Sequence, residues 1–223
     1  MKKEEPQKKV YRIYFYFTWF IRIILILALF FEFYNKRWTL FFVTLIALFI
    51  TFFPIFFQKK YKIFIPPEFN FFIVIFIYAG IYLGEVQNFY TKYWWWDSIL
   101  HLSSGFALGI IGFILMYILV KSHKIKASSG LIVFLSFCFA LAIGTTWEIF
   151  EFTIDTIFNL NMQKTHIGTG VTDTMYDLIL DSIGALISSI GGYFYLKKGD
   201  SKIYKNLILY FENKNPQLFK KIK

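Results

Sequence analysis

The chain has 223 residues, of which 57% are hydrophobic, 23% aromatic and only 17% charged. A soluble domain is about half apolar and about a quarter charged, so this composition excludes an ordinary water-soluble fold and points to lipid as the solvent. The formal net charge of +10 would suggest nucleic acid in a soluble protein. Here the basic residues sit in short loops and tails beside apolar runs, so they read as a topology signal, with no nucleic-acid partner implied.

The fold class expected is all-α: a polytopic transmembrane bundle of about six spanning helices in the bilayer, with both termini on the cytoplasmic side. Each span needs roughly 20 mostly apolar residues to cross about 30 Å of hydrocarbon. Six stretches qualify: Phe15 to Tyr34, Thr39 to Phe57, Asn70 to Asn88, Ser98 to Val120, Leu131 to Phe152, and Thr174 to Leu196. The first follows a charged start, as a signal peptide would. It is too long for a signal h-region and no small-residue cleavage pattern follows, so it is read as a retained membrane helix. The whole chain is read as a single integral membrane domain: a cytoplasmic segment 1–14, six spans over 15–196, and a basic cytoplasmic tail 197–223. The thirty Phe residues are spread along it and read as lipid-facing packing. The single Cys138 excludes an intramolecular disulfide.

With the N-terminus inside, the cytoplasmic segments hold 19 Lys and Arg residues. The outer loops hold Lys36, Arg37, Lys92 and Lys164, which orients the chain by the positive-inside rule and places it in a bacterial inner membrane. Arg22 falls within the first span and is expected to snorkel to the cytoplasmic surface. Trp94, Trp95 and Trp96 fall at the outer interface, where indole rings favour the headgroup boundary. In the tail, Ile203, Leu207 and Phe211 recur at helical spacing. That suits an amphipathic helix on the anionic inner leaflet, with a disordered tail as the alternative.

The acids are distributed the other way. Glu32, Glu85, Asp97, Glu148, Glu151, Asp155, Asp173, Asp177 and Asp181 fall in or near the outer half, against four basic residues. Such carboxylates must be hydrated, protonated or bound to a cation. Asp97 and His101 are four apart on the fourth span and share a face. Glu148, Glu151 and Asp155 lie within an arc of roughly 60° on the fifth. Asp173, Asp177 and Asp181 step by four along the sixth, which covers about 12 Å of helix. The same faces continue into small residues: Gly105, Gly109 and Gly112, then Ala140 and Gly144, then Gly184, Ser188 and Gly192. Small residues at this spacing let membrane helices approach closely.

Carboxylates and a histidine on facing helices suit a divalent metal ion. The candidate ligands are Asp97, His101, Glu148, Glu151, Asp173, Asp177 and Asp181, with His166 a distant addition. A hydrated acidic vestibule and a proton-carrying path are the competing readings. In an enzyme, an ion on Asp97, His101, Glu148 and Asp177 would activate water or polarise a phosphoryl group, with Glu151 or Asp181 as general base. A lipid or lipid-linked envelope precursor is the natural substrate. The alternatives are a cation- or proton-coupled transporter and a structural or partner-binding membrane protein.

The stretches DSILHLSSG from Asp97, WEIFEF from Trp147 and HIGTGVTDTMYDLILDSIGA from His166 resemble the YjdF-like family of uncharacterised bacterial inner-membrane proteins. The shared pattern falls on Asp97 and His101, on Glu148 and Glu151, and on Gly168-Thr169-Gly170 with Asp173, Asp177, Asp181 and Gly184-Ala185. It covers roughly the second half of the chain and implies a membrane protein of unknown activity. A looser likeness, through the Asp-x3-His, runs to VanZ-like membrane proteins.

Overall fold

The computed structural model describes residues 4–159, 161–163, 170–199 and 201–219. No strand occurs among them. The helices are α1 (Glu4–Tyr34), α2 (Trp38–Ile50), α3 (Phe53–Tyr61), α4 (Pro67–Ile77), α5 (Phe89–Lys92), α6 (Trp96–Lys121), α7 (Ser129–Phe158), α8 (Gly170–Lys198) and α9 (Lys202–Lys214). A π-helical segment, Tyr78–Val86, extends α4, and a 3-10 turn, Pro216–Phe219, follows α9. Six helical stretches are long and apolar enough to cross a membrane: Tyr11–Tyr34, Trp38–Tyr61, Pro67–Val86, Trp96–Lys121, Ser129–Phe158 and Gly170–Lys198. They match the six spans expected to within a few residues. The chain divides into two compact units, Met1–Trp96 and Asp97–Lys223.

In the first unit, the second span is broken where α2 gives way to α3. Pro54 has no N–H to donate, which interrupts the ladder. The Ile55 N–H then turns to the Phe52 carbonyl at 3.0 Å, leaving the Thr51 carbonyl without its usual partner four residues on. Arg22 takes that carbonyl: Nη2 donates to Thr51 O at 2.8 Å and Nε to Thr51 Oγ1 at 3.2 Å. Its guanidinium also lies over the Phe52 ring, 4.1 Å from the centroid. Arg22 is therefore 1% exposed and does not snorkel. The expectation fails because the broken helix supplies the cation with acceptors inside the protein.

Ile21, Leu25 and Val74 form the buried core of this unit, with Phe71, Tyr78 and Tyr82 packed against it. The third span widens into the π-helix, where the Gln87 N–H reaches back five residues to the Tyr82 carbonyl at 3.0 Å. Trp94 is 85% exposed, as an interfacial indole would be. Trp96 instead turns inward, and its Nε1 donates to the Ala79 carbonyl at 3.2 Å.

The second unit is built on the small-residue seam. A Cβ at Gly184 would overlap the Leu102 carbonyl, one at Gly105 the Asp181 backbone, and one at Gly109 the Ser188 side chain. α6 and α8 thus meet backbone to backbone, which brings any side chains flanking the seam together. The tail is an ordered helix, and protein covers its apolar side. On α9, Tyr204 and Ile208 are buried, whereas Leu207 and Phe211 are half-buried. The inward face thus centres on Tyr204 and Ile208, with Leu207 and Phe211 at its margin, while the Ile203 side chain lies outside the described ones. Tyr204 donates its hydroxyl to the Ser188 carbonyl, and Lys121 Nζ pairs with Glu212 Oε2 at 2.6 Å.

Candidate metal centre

Each functional side chain in the second unit is set by the phase of a long helix. Asp97 opens α6, where the positive end of the helix dipole favours an acid, and His101 follows one turn later on the same face. Glu148 lies on α7, and Asp177 and Asp181 lie one turn apart on α8. The α6–α8 seam begins at Gly105, one turn beyond His101, so the His101 ring is carried directly against the acidic stripe of α8.

The imidazole lies between four carboxylates. Nε2 is 3.8 Å from Asp97 Oδ1 and 3.8 Å from Asp177 Oδ2. Nδ1 is 3.4 Å from Asp181 Oδ2 and 3.9 Å from Glu148 Oε1. His101, Glu148, Asp177 and Asp181 are buried, and Asp97 is half-buried. His101 is the cationic partner within 4 Å of Glu148, Asp177 and Asp181 among the described residues. Even a protonated imidazole offsets one of these charges and no more.

Asp97, His101 and Asp177 each offer a ligand atom within 4.8 Å of the other two. Like charges at that separation repel by about 3 kcal/mol at an effective dielectric of about 20. The spacing also suits an ion. A cation about 2.2 Å from two atoms that lie 3.8 Å apart would see them at an angle of about 120°, within the range of common coordination geometries. Two further features show the group short of hydrogen-bond donors. Asp177 Oδ2, which faces Nε2, is buried without a hydrogen-bond partner, and so are both carboxylate oxygens of Glu148. Buried carboxylates are normally hydrogen-bonded, because an unmade bond forfeits their hydration.

Not every acid on the three faces joins the group. Glu151 is buried and accepts the Trp147 indole N–H at 2.9 Å. Asp155 caps the turn after α7, accepting the Met162 and Gln163 N–H groups at 2.8 and 2.9 Å. Asp173 is half-buried in the first turn of α8 and is not among the carboxylates within 4 Å of the His101 ring. His166 lies outside the described residues. Ser104 and Trp147 escaped the sequence reading, whereas Gly144 was expected in the small-residue seam. Ser104 donates to Asp181 Oδ1 at 2.9 Å, Gly144 lies against the Asp181 carboxylate, and Trp147 holds Glu151. Ser104 stands three residues after His101, and that spacing was the available signal.

The helices and this group define a multi-pass membrane protein with a His/Asp/Asp cluster held between membrane-spanning helices. More particularly, the chain belongs to the family of predicted membrane proteins designated DUF2238, whose sequence profile matches residues 17–198. It is also similar to an uncharacterized protein of Thermotoga maritima, with 37% identity over 103 residues, 46% of this chain and 50% of that protein. The chain thus spans half the length of that curated relative. No solved structure matches. A family of predicted membrane proteins is what the resemblance to the YjdF-like proteins implied. The looser likeness to VanZ-like proteins gains no support from these matches.

Proposed function

We propose that the second unit binds one divalent cation through Asp97 Oδ1, His101 Nε2 and Asp177 Oδ2, and that the protein is a metal-dependent enzyme of the bacterial inner membrane. One observation carries the cation: Asp177 Oδ2 is buried, lacks a hydrogen-bond partner and faces the Nε2 edge of His101 at 3.8 Å. Two carboxylates and one imidazole admit magnesium or manganese as well as zinc or iron. Such an ion would polarise a bound water or a phosphoryl oxygen. The basic-residue count supports a cytoplasmic N-terminus, which puts the Asp97 end of α6 at the outer face. Ligands placed within membrane-spanning helices favour a substrate with an acyl or isoprenoid tail, hence a lipid or lipid-linked envelope precursor.

Protein purified in detergent without chelator should carry about one divalent ion per chain by elemental analysis. Asp97→Ala and His101→Ala should lose it. A metal-free wild type that also takes up no added ion would end the proposal. Hydrolysis of extracted membrane lipids by the loaded protein, absent in His101→Ala, separates an enzyme from a metal-braced structural protein.

A further inference from the structure

The two edges of the His101 ring differ in kind. At 3.4 Å the Nδ1–Asp181 Oδ2 contact is at the long limit of a hydrogen bond, whereas the two contacts at Nε2, both 3.8 Å, are beyond it. One edge of the ring is therefore held by protein, and the other faces two ligand oxygens with no bond to either. That is the arrangement of a metal-ligating histidine: one nitrogen donates its proton to a carboxylate, and the other keeps its lone pair for the ion.

Asp181 is itself fixed from three sides. Ser104, on the same helix as His101, donates to Oδ1 at 2.9 Å. The single Ser104 hydroxyl proton is also within reach of the His101 carbonyl, at 2.8 Å, so it is shared between that carbonyl and the Asp181 side chain. On α7, a Cβ at Gly144 would lie 3.1 Å from Asp181 Cγ and nearer still to Oδ2. On α6, a Cβ at Gly105 would overlap the Asp181 backbone. Two glycines on two helices therefore give this carboxylate the room to lie beside the ring. Asp181 is 2% exposed, so no solvent competes for its oxygens.

Glu148 also approaches Nδ1, but at 3.9 Å it is beyond hydrogen-bond reach, whereas Asp181 Oδ2 lies at 3.4 Å.

We propose that Asp181 is the positioning residue of the cation site: it holds Nδ1 of His101 so that Nε2 is presented to the ion between Asp97 and Asp177, and Ser104 and Gly144 hold Asp181 in place. The inference rests on the cation reading above and assigns Asp181 to the histidine instead of to the metal. A carboxylate behind a ligating imidazole raises its basicity and stops the ring from turning, and losing such a group typically costs 10–100-fold in metal affinity.

Cobalt(II) is a suitable probe, because its visible absorption reports ligand geometry. Full-length wild type and variants in detergent would be titrated with cobalt(II), with affinity read by competition with a chelator. Asp181→Asn keeps the side-chain size and should weaken binding about 10–100-fold and shift the absorption bands. Gly144→Ala leaves every acid in place but displaces Asp181 Oδ2, and it should shift the bands in the same direction. Ser104→Ala should weaken binding about fivefold, the cost of one hydrogen bond. It disturbs packing least, so it keeps the question answerable if Asp181→Asn does not fold. If the wild type binds one cobalt(II) and Asp181→Asn, Gly144→Ala and Ser104→Ala match it in affinity and spectrum, Asp181 does not position His101. If the wild type binds none, the cation reading itself falls.

Discussion

Arg22 in the first unit and His101 in the second are both buried basic side chains, and the groups around them could hardly differ more. Arg22 is satisfied by dipoles and rings: the Thr51 carbonyl and hydroxyl, and the Phe52 face. His101 is met by the carboxylates of Asp97, Glu148, Asp177 and Asp181. A partner set made of dipoles holds one fixed charge and braces a broken helix. It has no capacity for a second cation. A set of four carboxylates around one imidazole is overcharged even when the imidazole is protonated, so a further positive charge lowers its energy. Burial of an ionisable residue in a membrane protein therefore does not by itself mark a site. The sign and surplus of its surroundings do.

The largest effect expected from any change belongs to the seam that creates the second set. Gly184→Leu places a side chain where the Leu102 carbonyl and the Phe106 N–H already lie. Backbone cannot move aside as a side chain can, so the cost should exceed the usual 1–3 kcal/mol of overpacking. Little folded, monodisperse protein should survive size-exclusion chromatography, whereas Ile187→Leu, at a position 54% exposed, should behave as wild type. A Gly184→Leu protein that melts as wild type does would mean α6 and α8 do not meet there.

Next comes the brace of the first unit. Arg22→Ala strips the Thr51 carbonyl of its donor and leaves a cavity beside Phe52, so it should cost about 3 kcal/mol. Arg22→Lys, a compact ammonium without the planar fork, should recover only part of this. Equal melting temperatures for wild type and Arg22→Ala would show that the break at Thr51 needs no cation.

Asp177→Asn tests the opposite sign. In metal-free buffer, neutralising one acid of the crowded group should raise stability by about 1 kcal/mol. In saturating divalent ion the same variant should be less stable than wild type, because a ligand is gone. The crossing of the two orders is the diagnostic. If Asp177→Asn is destabilised with and without metal alike, the group is already balanced, and the contrast with Arg22 disappears.

The six spans were legible because length and apolarity are local properties, and the pairing of Asp97 with His101 because helical phase is local too. What phase could not supply was the partner. Glu148 and Glu151 share a face of α7, yet one lies 3.9 Å from the His101 ring and the other is held by Trp147, four residues before it. Asp177 and Asp181 share a face of α8, and Ser104 distinguishes them. Arg22 was misjudged for the same reason. Snorkelling weighs lipid against water, and the acceptor that decided the matter was a carbonyl 29 residues away. Pro54, visible in the second span, was the clue that such a carbonyl would exist. On α9, helical spacing picked out Leu207 and Phe211, which are half-buried, and only contact with the bundle chooses Tyr204 and Ile208 as the buried pair.

The smallest effect expected falls on that last contact. Tyr204 donates to the Ser188 carbonyl, its ring meets Phe113 edge-on at 5.1 Å, and Tyr195 lies nearly parallel at 6.2 Å. Burial pushes the phenol pKa well above its ordinary value, so the hydroxyl stays a donor throughout the working pH range. Tyr204→Phe removes that donor and keeps the ring. The Ser188 carbonyl lies inside a long helix whose own ladder reaches it, so the loss should be only about 1 kcal/mol. Tyr204→Ala removes the ring from between its aromatic neighbours as well and should cost about 3 kcal/mol or more. With the ring gone, α9 should come away from the second unit, and trypsin should cut after Lys205 and Lys214 far faster than in wild type or Tyr204→Phe. Should Tyr204→Phe be cleaved as fast as Tyr204→Ala, the hydroxyl docks the tail. In that case α9 is tied to α8 by polar bonds, as Arg22 is tied to Thr51, and apolar packing is secondary.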